Sequence, residues 1–273
     1  MVGLWLIFVV LSSILFTWYV LKYRKNKQIQ ALLEVPFPES WRALLSRNLP
    51  LYRKLPPSLQ RELQGHINVF LSQKIFVGGG DLTITEEIKL TIAGQACMLL
   101  LGRKTNYFPR HTTIVVYPGA YKGKQVHYDG LLEIESEYTG LGESWYRGPV
   151  ILSWDDVKHG IFDVSDGHNV VLHEFAHQLD QEDSAMDGAP LLLQRSQYIS
   201  WARVLTEEYT TLRRKVNSGK PTVIDQYGAT NPAEFFAVAT EVFFEKPHQL
   251  KSKHGELYEE LKQFYCLDPA TWE

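Results

Sequence analysis

Residues 170–180 read Val-Val-Leu-His-Glu-Phe-Ala-His-Gln-Leu-Asp, and the rest of the chain is organised around them. On a helix, His173 and His177 lie one turn apart on the same face, and two imidazoles in that arrangement can share one zinc ion. Glu174 follows the first of them and can act as a general base toward a water on the metal. The apolar residues around these three predict a buried helix, which holds metal ligands rigidly. The alternative is a helix whose histidines are satisfied by hydrogen bonds alone, which is costly for so many buried polar groups.

The composition is that of a globular protein without an affinity for nucleic acid. The chain has 273 residues, of which 45% are hydrophobic and 22% charged, and its net charge is −3. No basic footprint indicates direct binding of DNA or RNA. Cys97 and Cys266 are far apart in the sequence and indicate neither a disulfide framework nor a zinc ribbon. We expect both to be buried free thiols in a reducing compartment.

The first 21 residues carry no charged side chain and are almost wholly apolar. As a helix they would span about 31 Å, enough for a bilayer core. We therefore predict a transmembrane anchor at 1–21, in contact with the lipid bilayer, and a basic juxtamembrane linker at 22–34. By the positive-inside rule, basic residues after the apolar run predict a single-pass protein of the cytoplasmic membrane whose catalytic domain faces the cytoplasm. A cleavable signal peptide is disfavoured, because the start is uncharged and the residues around Lys22 make a poor cleavage site.

Residues 35–273 are predicted to form a zinc metallopeptidase domain. Its fold class is α+β, mostly helical, with a small sheet ahead of the metal-binding helix. Strands are predicted at 75–77, 112–117, 131–134 and 150–154, and helices over most of 28–74 and at 198–216 and 255–265. A capping box from Thr83 to Glu86 predicts a helix that runs to Leu101. Segment 148–154 is a candidate edge strand for an extended peptide, because Pro149 suits an edge; plain sheet structure is the alternative.

A hydrolytic zinc site needs a third protein ligand and an open position. Glu234 is a candidate, because it lies in the first turn of an otherwise apolar helix that Asn231 is predicted to cap. A carboxylate that only complements the helix N-terminus is equally well supported by the residues alone. Glu241, two turns along the same face, is a rival ligand or a carboxylate that orients one. His168 is more typical of a loop or cap, and Asp180 either orients an imidazole or lies at the surface.

Four segments resemble the Mlc titration factor A family of zinc metallopeptidases, and the similarity covers roughly residues 35–270. The segments are 115–119, 150–157, 173–180 and 231–237. This family is related to gluzincin proteases, including the catalytic domain of a lethal-factor toxin. The resemblance implies a gluzincin-like domain in which Glu234 is the third zinc ligand. It also implies that Tyr227 stabilises the oxyanion, as a tyrosine at that spacing does in the related toxin; a packed aromatic before a turn is the alternative.

One position departs from the pattern of thermolysin-like enzymes. In those enzymes an Asp follows the ligand glutamate by four residues, and here the residue is Val238. The groups that orient the metal ligands must therefore differ. The apolar stretch 1–21 is a second departure, because the resemblance does not extend to it.

The predicted function is zinc-dependent hydrolysis of peptide bonds in a peptide or protein substrate, with aminopeptidase activity as one form. His173, His177 and Glu234 would hold Zn²⁺, Glu174 would be the general base, and Tyr227 would donate to the oxyanion. The alternative, which the resemblance implies, is a membrane-tethered regulatory module that sequesters a transcriptional repressor and has weak or latent peptidase activity. A structural zinc site is disfavoured, because such sites usually have cysteine ligands.

Overall fold

The computed structural model describes residues 2–110, 112–119, 121–129, 132–140, 142–144 and 148–272, with side chains described at 10–110, 112–119 and 148–272. Met1 of the predicted anchor and Leu131 of a predicted strand lie outside these residues. The α-helices are α1 (Val2–Leu33), α2 (Glu39–Asn48), α3 (Pro50–Lys54), α4 (Pro57–Gln73), α5 (Glu86–Met98), α6 (Trp154–Phe162), α7 (Val170–Asp180), α8 (Gln197–Asn217), α9 (Pro232–Glu245), α10 (Pro247–Lys253) and α11 (Gly255–Tyr265). The strands are β1 (Ile75–Gly78), β2 (Thr113–Tyr117), β3 (Tyr121–Asp129), β4 (Leu132–Gly140), β5 (Gly142–Ser144) and β6 (Val150–Ser153), and short 3-10 helices cover Gln181–Asp183, Gln226–Ala229 and Pro269–Thr271.

The main sheet has the strand order β1-β2-β6-β5. β1, β2 and β6 run parallel, with Ile75 beside Thr113 and Ile114 beside Val150, and β5 runs antiparallel to β6. β6 therefore has a neighbour on each side, and the prediction of an edge strand at 148–154 is wrong. β5 is the edge on that side, and it packs against α7. β3 and β4 form a separate antiparallel hairpin.

Several predicted elements are confirmed, with changes at their ends that side-chain caps explain. The strands at 75–77 and 112–117 and the helices at 198–216 and 255–265 are present. The strand predicted to reach Trp154 stops one residue earlier, because the Ser153 side chain accepts a hydrogen bond from Asp156 N and begins α6. The helix predicted from a capping box is α5, but its cap is Thr85, whose Oγ1 accepts from Ile88 N at 3.2 Å.

The metal-binding helix of the prediction, α7, lies in the middle of the core. It packs against α5, α6, α9, β5 and β6, and nearly all of its residues are buried. Phe175 on α7 joins an aromatic cluster, with ring centroids 4.8 Å from Phe108 and 5.7 Å from Phe70. Each fully buried phenylalanine contributes about 2–3 kcal/mol of transfer free energy, so this cluster holds the helix firmly against its neighbours.

α9 is the second helix that carries predicted site residues, and it is buried on nearly every face. Its cap is Asn231, whose Oδ1 accepts from Glu234 N at 2.9 Å, and Pro232 occupies the first turn, as predicted. All of its residues from Phe235 to its end at Glu245 are buried. The two acidic residues in this stretch, Glu241 and Glu245, are therefore buried charges that require partners.

The predicted fold class is wrong in its N-terminal part, because none of the helices in the described part of the chain is long and apolar enough to cross a membrane. α1 continues to Leu33, where the domain holds its end: Asn68 donates to the Leu32 and Val35 carbonyls. The prediction of a single-pass protein of the cytoplasmic membrane is wrong for the same reason. The remainder is mostly helical with a small parallel sheet.

The two cysteines are free thiols, as predicted, but only one of them is buried. Cys97 lies in α5 with no exposed surface, and burial raises the pKa of its thiol well above the usual value. Cys266 follows α11 in the left-handed region, at a φ of 54°, and is exposed. The expectation of two buried thiols is therefore wrong for Cys266.

Candidate metal centre

The start of α7 is held by Asn169, which stands in extended conformation directly before the helix. Its Oδ1 accepts a hydrogen bond from Leu172 N at 3.0 Å, which satisfies one of the free backbone donors of the first turn. The cap sets where the helix begins. It thereby places His173 in the first turn and His177 one turn later on the same side.

Three side-chain atoms from α7 and α9 converge at one point. His173 Nε2 lies 3.0 Å from Glu234 Oε2, His177 Nε2 lies 3.3 Å from the same oxygen, and the two Nε2 atoms are 3.2 Å apart. The side chains are 13%, 4% and 16% exposed for His173, His177 and Glu234, so the cluster is nearly buried but open on one side. Among the described residues, this is the group of metal-ligating side chains that could hold an ion.

Glu241 lies behind this cluster and contacts His173 from the other side of the ring. Its Oε1 is 2.7 Å from His173 Nδ1, and its Oε2 accepts a hydrogen bond from Asn169 N at 2.5 Å. A carboxylate at Nδ1 favours a proton on that nitrogen, and in the neutral imidazole this leaves the Nε2 lone pair directed at the cluster. Of the two roles that the sequence left open for Glu241, the geometry matches the one that orients a histidine.

Two residues near the centre were not found by the sequence reasoning, Asn169 and Glu245. Asn169 Nδ2 donates to Glu245 Oε1 at 3.0 Å, so one side chain links the α7 backbone to both acidic residues of α9. Burial, with a further contribution from the charge of Glu241, raises the pKa of Glu245 to about 8. Glu245 is therefore mostly protonated at neutral pH. An Asn immediately before the apolar run was the available signal for the cap, whereas nothing local indicated its partner.

The pKa values of the three clustered side chains favour the binding of a positively charged ion between them. Burial lowers the pKa of His173, but the charge of Glu241 and hydrogen bonds with Glu234 and Glu241 outweigh it and hold that pKa well above the usual value. Burial also lowers the pKa of His177, and there the hydrogen bond with Glu234 does not compensate. Burial raises the pKa of Glu234, but the two histidines outweigh it and lower the pKa to about 2. A carboxylate held ionised against two imidazoles is suited to binding a cation.

The two other predicted site residues, Glu174 and Tyr227, lie on different elements beside the cluster. Glu174 is on α7 and only 4% exposed. Tyr227, in the 3-10 helix before α9, is 55% exposed, and its ring centroid is 5.9 Å from that of His173. Burial raises the pKa of the Tyr227 phenol, and the negative charges of Glu234 and Glu174 raise it further. The phenol therefore keeps its proton at neutral pH and can donate a hydrogen bond.

The remaining candidates lie away from the cluster. Asp180 has no exposed surface, so the prediction of a surface position is wrong. Its Oδ2 accepts from Gly188 N at 2.9 Å and so holds the loop that follows α7, and among the described residues Asp180 forms no hydrogen bond with either histidine. His168 is exposed, and its Nε2 lies 3.6 Å from Asp225 Oδ2, which agrees with the loop position expected for it.

Comparisons with known proteins agree with this geometry. Residues 21–266 match the glucose-regulated metallo-peptidase M90 family. An uncharacterized protein of Synechocystis sp. is 45% identical over 240 residues, which make up 87% of this chain and 87% of that protein. Mlc titration factor A of Pectobacterium atrosepticum is 29% identical over 237 residues (85% of this chain and 88% of that protein), and that of Yersinia pestis is 28% identical over 234 residues (83% and 86%). The resemblance seen in the sequence is confirmed, and the chain belongs to the glucose-regulated metallo-peptidase M90 family.

Proposed function

We propose that this protein is a zinc-dependent peptidase whose metal is held by His173, His177 and Glu234. The observation that carries the proposal is the spacing of their three donor atoms. Ligand atoms about 2.0–2.1 Å from a tetrahedral zinc ion lie about 3.3 Å from one another. The spacings here are 3.0, 3.2 and 3.3 Å.

The kinds of donor atom support the same ion. Two imidazoles and one carboxylate are the ligands of hydrolytic zinc sites, and three protein ligands leave one position open. When bound, zinc supplies Lewis-acid polarisation of the scissile carbonyl and makes water more acidic. The Nδ1 contact of His173 with Glu241 supports this arrangement, because metal-ligating histidines nearly always use their second nitrogen in this way.

Glu174 and Tyr227 have the proton-transfer and charge-stabilising roles in this proposal. The Glu174 carboxylate takes a proton from the attacking water and returns it to the leaving amine. The Tyr227 phenol, whose raised pKa keeps it protonated, donates a hydrogen bond to the oxyanion that develops on the carbonyl. A more specific version of the proposal is that the protein is an aminopeptidase, which cleaves peptides at a chain end.

A second function is favoured by the names of two relatives. Both are called Mlc titration factor A, and this chain covers 88% and 86% of their lengths. We propose on this ground that the chain also binds a transcriptional regulator. That function does not need Glu174, so the two functions are separable by substitution.

The experiment compares metal content and peptide hydrolysis in the full chain and its Glu234→Ala variant, with Glu34→Ala as a control at an exposed glutamate. We expect about one zinc per chain in the unmodified protein and the control, and loss of both zinc and cleavage in Glu234→Ala. Zinc retained by Glu234→Ala would exclude Glu234 as the third ligand.

The general base is tested separately with Glu174→Gln. We expect this variant to bind zinc normally and to turn over peptides several orders of magnitude more slowly, because the amide cannot accept the water's proton. Unchanged turnover with zinc bound would remove Glu174 from the mechanism. Binding of a purified Mlc-type regulator, measured by calorimetry, should be the same for Glu174→Gln and the unmodified chain.

A further inference from the structure

A cavity of about 460 Å³ lies beside the metal centre, at the N-terminal end of α7. The loop before α7, the loop after α8, the start of the 3-10 helix Gln226–Ala229 and the end of α9 form its walls. Its polar lining residues are Asp166, His168, Lys220, Thr222, Asp225, Gln226 and Lys246. The volume is in the range of small-ligand sites in proteins, so a side chain of a bound peptide fits inside.

The cavity adjoins the proposed catalytic residues through the chain itself. Gln226 on its wall directly precedes Tyr227, whose ring lies against His173. His168, which also lines the cavity, precedes the α7 cap by one residue. When a peptide lies across the metal centre, the side chain of a residue near the cleaved bond can therefore enter this cavity.

The acidic residues of the cavity are engaged by the protein. Asp166 Oδ1 accepts a hydrogen bond from His168 N at 2.9 Å. Asp225 Oδ1 accepts from Tyr227 N at 2.7 Å, and its Oδ2 lies 3.6 Å from His168 Nε2. Both carboxylates thus serve to shape the walls, and their charge is partly compensated by these donors.

The basic residues of the cavity are not engaged in the same way. Lys246 Nζ donates to the backbone carbonyl of Asp166, a neutral acceptor, and the Gly167 position leaves room for its head because no Cβ is present. Lys220 has an exposed side chain. Neither ammonium group forms an ion pair with a carboxylate among the described residues. Two lysines that form no ion pair with a carboxylate among the described residues line one cavity in a protein whose net charge is −3.

We propose that this cavity is a specificity site that binds an acidic side chain of the peptide substrate through Lys220 and Lys246. The inference rests on the proposed peptidase function and adds the substrate class. The lysines supply charge-assisted hydrogen bonds to a carboxylate, and the cavity wall lowers the exposure of those bonds to solvent. Because Asp225 holds the backbone of Tyr227, an occupied cavity also steadies the residue that would bind the oxyanion.

The test uses pairs of fluorogenic peptides that differ only by Glu or Gln at one position, with that position moved from three residues before to three residues after the cleaved bond. At one position we expect the zinc-loaded full chain to prefer Glu over Gln by about tenfold in kcat/KM, as for one or two charge-assisted hydrogen bonds. The preference should fall toward one in Lys220→Gln and Lys246→Gln, and in 0.5 M salt, which screens the pairing. Lys253→Gln, at an exposed lysine on α10, should keep it.

Binding is measured in parallel, so that failure of the peptidase proposal is distinguishable from failure of this one. Fluorescence anisotropy of the uncleaved peptides on Glu174→Gln should show the same Glu-over-Gln preference, whether or not the unmodified chain cleaves them. Equal binding of the Glu and Gln peptides at every position would overturn the proposal. Saturable binding of inorganic phosphate, lost in Lys220→Gln without any Glu preference, would also overturn it and assign the cavity to a free anion.

Discussion

The two ends of α7 are held in the protein by opposite means. At the N-terminal end, side chains from another helix reach in: Glu241 accepts from Asn169 N and contacts His173 Nδ1. At the C-terminal end, a side chain of α7 itself makes the contact: Asp180 accepts a hydrogen bond from Gly188 N and holds the following loop. The first arrangement orients a candidate ligand, and the second only organises the chain beyond it.

The same difference separates the two histidines. His173 Nδ1 forms a hydrogen bond with the buried carboxylate of Glu241. His177 Nδ1 is also buried but has no hydrogen-bond partner among the described residues. His173 is therefore oriented from both ring nitrogens, whereas the polar contacts of His177 are made through Nε2, with Glu234 and His173. Two candidate ligands one helical turn apart can therefore differ in what contacts their second ring nitrogen.

Among the substitutions that test the difference between the two ends of α7, Glu241→Ala is expected to have the largest effect. The substitution leaves His173 Nδ1 and Asn169 N without their acceptor, so we expect zinc affinity to fall about 10- to 100-fold and the free energy of unfolding to fall by about 2–4 kcal/mol. Competition with a chelator and urea unfolding of the metal-free protein measure the two losses. Full zinc affinity in Glu241→Ala would show that Glu241 does not orient His173.

At the other end of α7, Gly188→Ala should reduce stability without acting on a histidine. Gly188 has a φ of +78°, and a Cβ there would lie 2.5 Å from the Pro232 carbonyl oxygen. We expect a loss of about 2–4 kcal/mol in urea unfolding, from backbone strain and overpacking together. Gly219→Ala is the matched control, because Gly219 also has a positive φ, +64°, but no atom within 4 Å, and should lose only about 1 kcal/mol. Equal losses at both positions would argue against the close approach at Gly188.

The pH dependence of stability tests whether the pKa of Asp180 is raised. Burial raises the pKa of Asp180 to about 7, from an ordinary value of 3.8. The folded protein therefore binds a proton that the unfolded chain has lost, and this stabilisation is present below about pH 4 and disappears as the pH rises through 7. Between pH 5 and pH 8 the unmodified protein should lose about 2–3 kcal/mol of its free energy of unfolding relative to Asp180→Asn, because asparagine does not titrate. Parallel curves for the two proteins would contradict the raised pKa.

The smallest effect is expected from Glu245→Gln, one helical turn from Glu241. With a pKa raised to about 8, Glu245 is mostly neutral at pH 7, so an amide of the same shape can still accept from Asn169 Nδ2. We expect less than about 0.5 kcal/mol of change in stability at pH 6 and unchanged zinc affinity. A loss comparable to that of Glu241→Gln, measured beside it, would show that Glu245 needs its charge.

Local patterns predicted several elements well, because they depend only on neighbouring residues. Helical spacing placed His173 and His177 on one face of α7, and the Asn231 cap with Pro232 predicted where α9 begins. The N-terminal span was the main error. There the apolar composition suggested a membrane, whereas the structure shows a helix whose far end contacts α4.

Long-range pairing could not be predicted, because it depends on residues that are distant in the chain. The pairing of β6 on both sides removed the predicted edge strand, and β5 took that place. The link from Asn169 to Glu241 joins positions 72 residues apart, and no spacing rule indicates it. Burial of Asp180 and the loop bound to it likewise depend on how the chain returns after α7.

The sequence by itself therefore determined the family and the local features of the candidate site: a His-Glu-x-x-His helix and a capped apolar helix with Glu234 in its first turn. These follow from local periodicity and side-chain type, which folding does not change. Only the tertiary structure decided which glutamate meets His173 Nδ1, which strand lies at the sheet edge, and that a lysine-lined cavity adjoins the site. Each of these depends on contacts between elements that are distant in the sequence and that meet only when the core is packed.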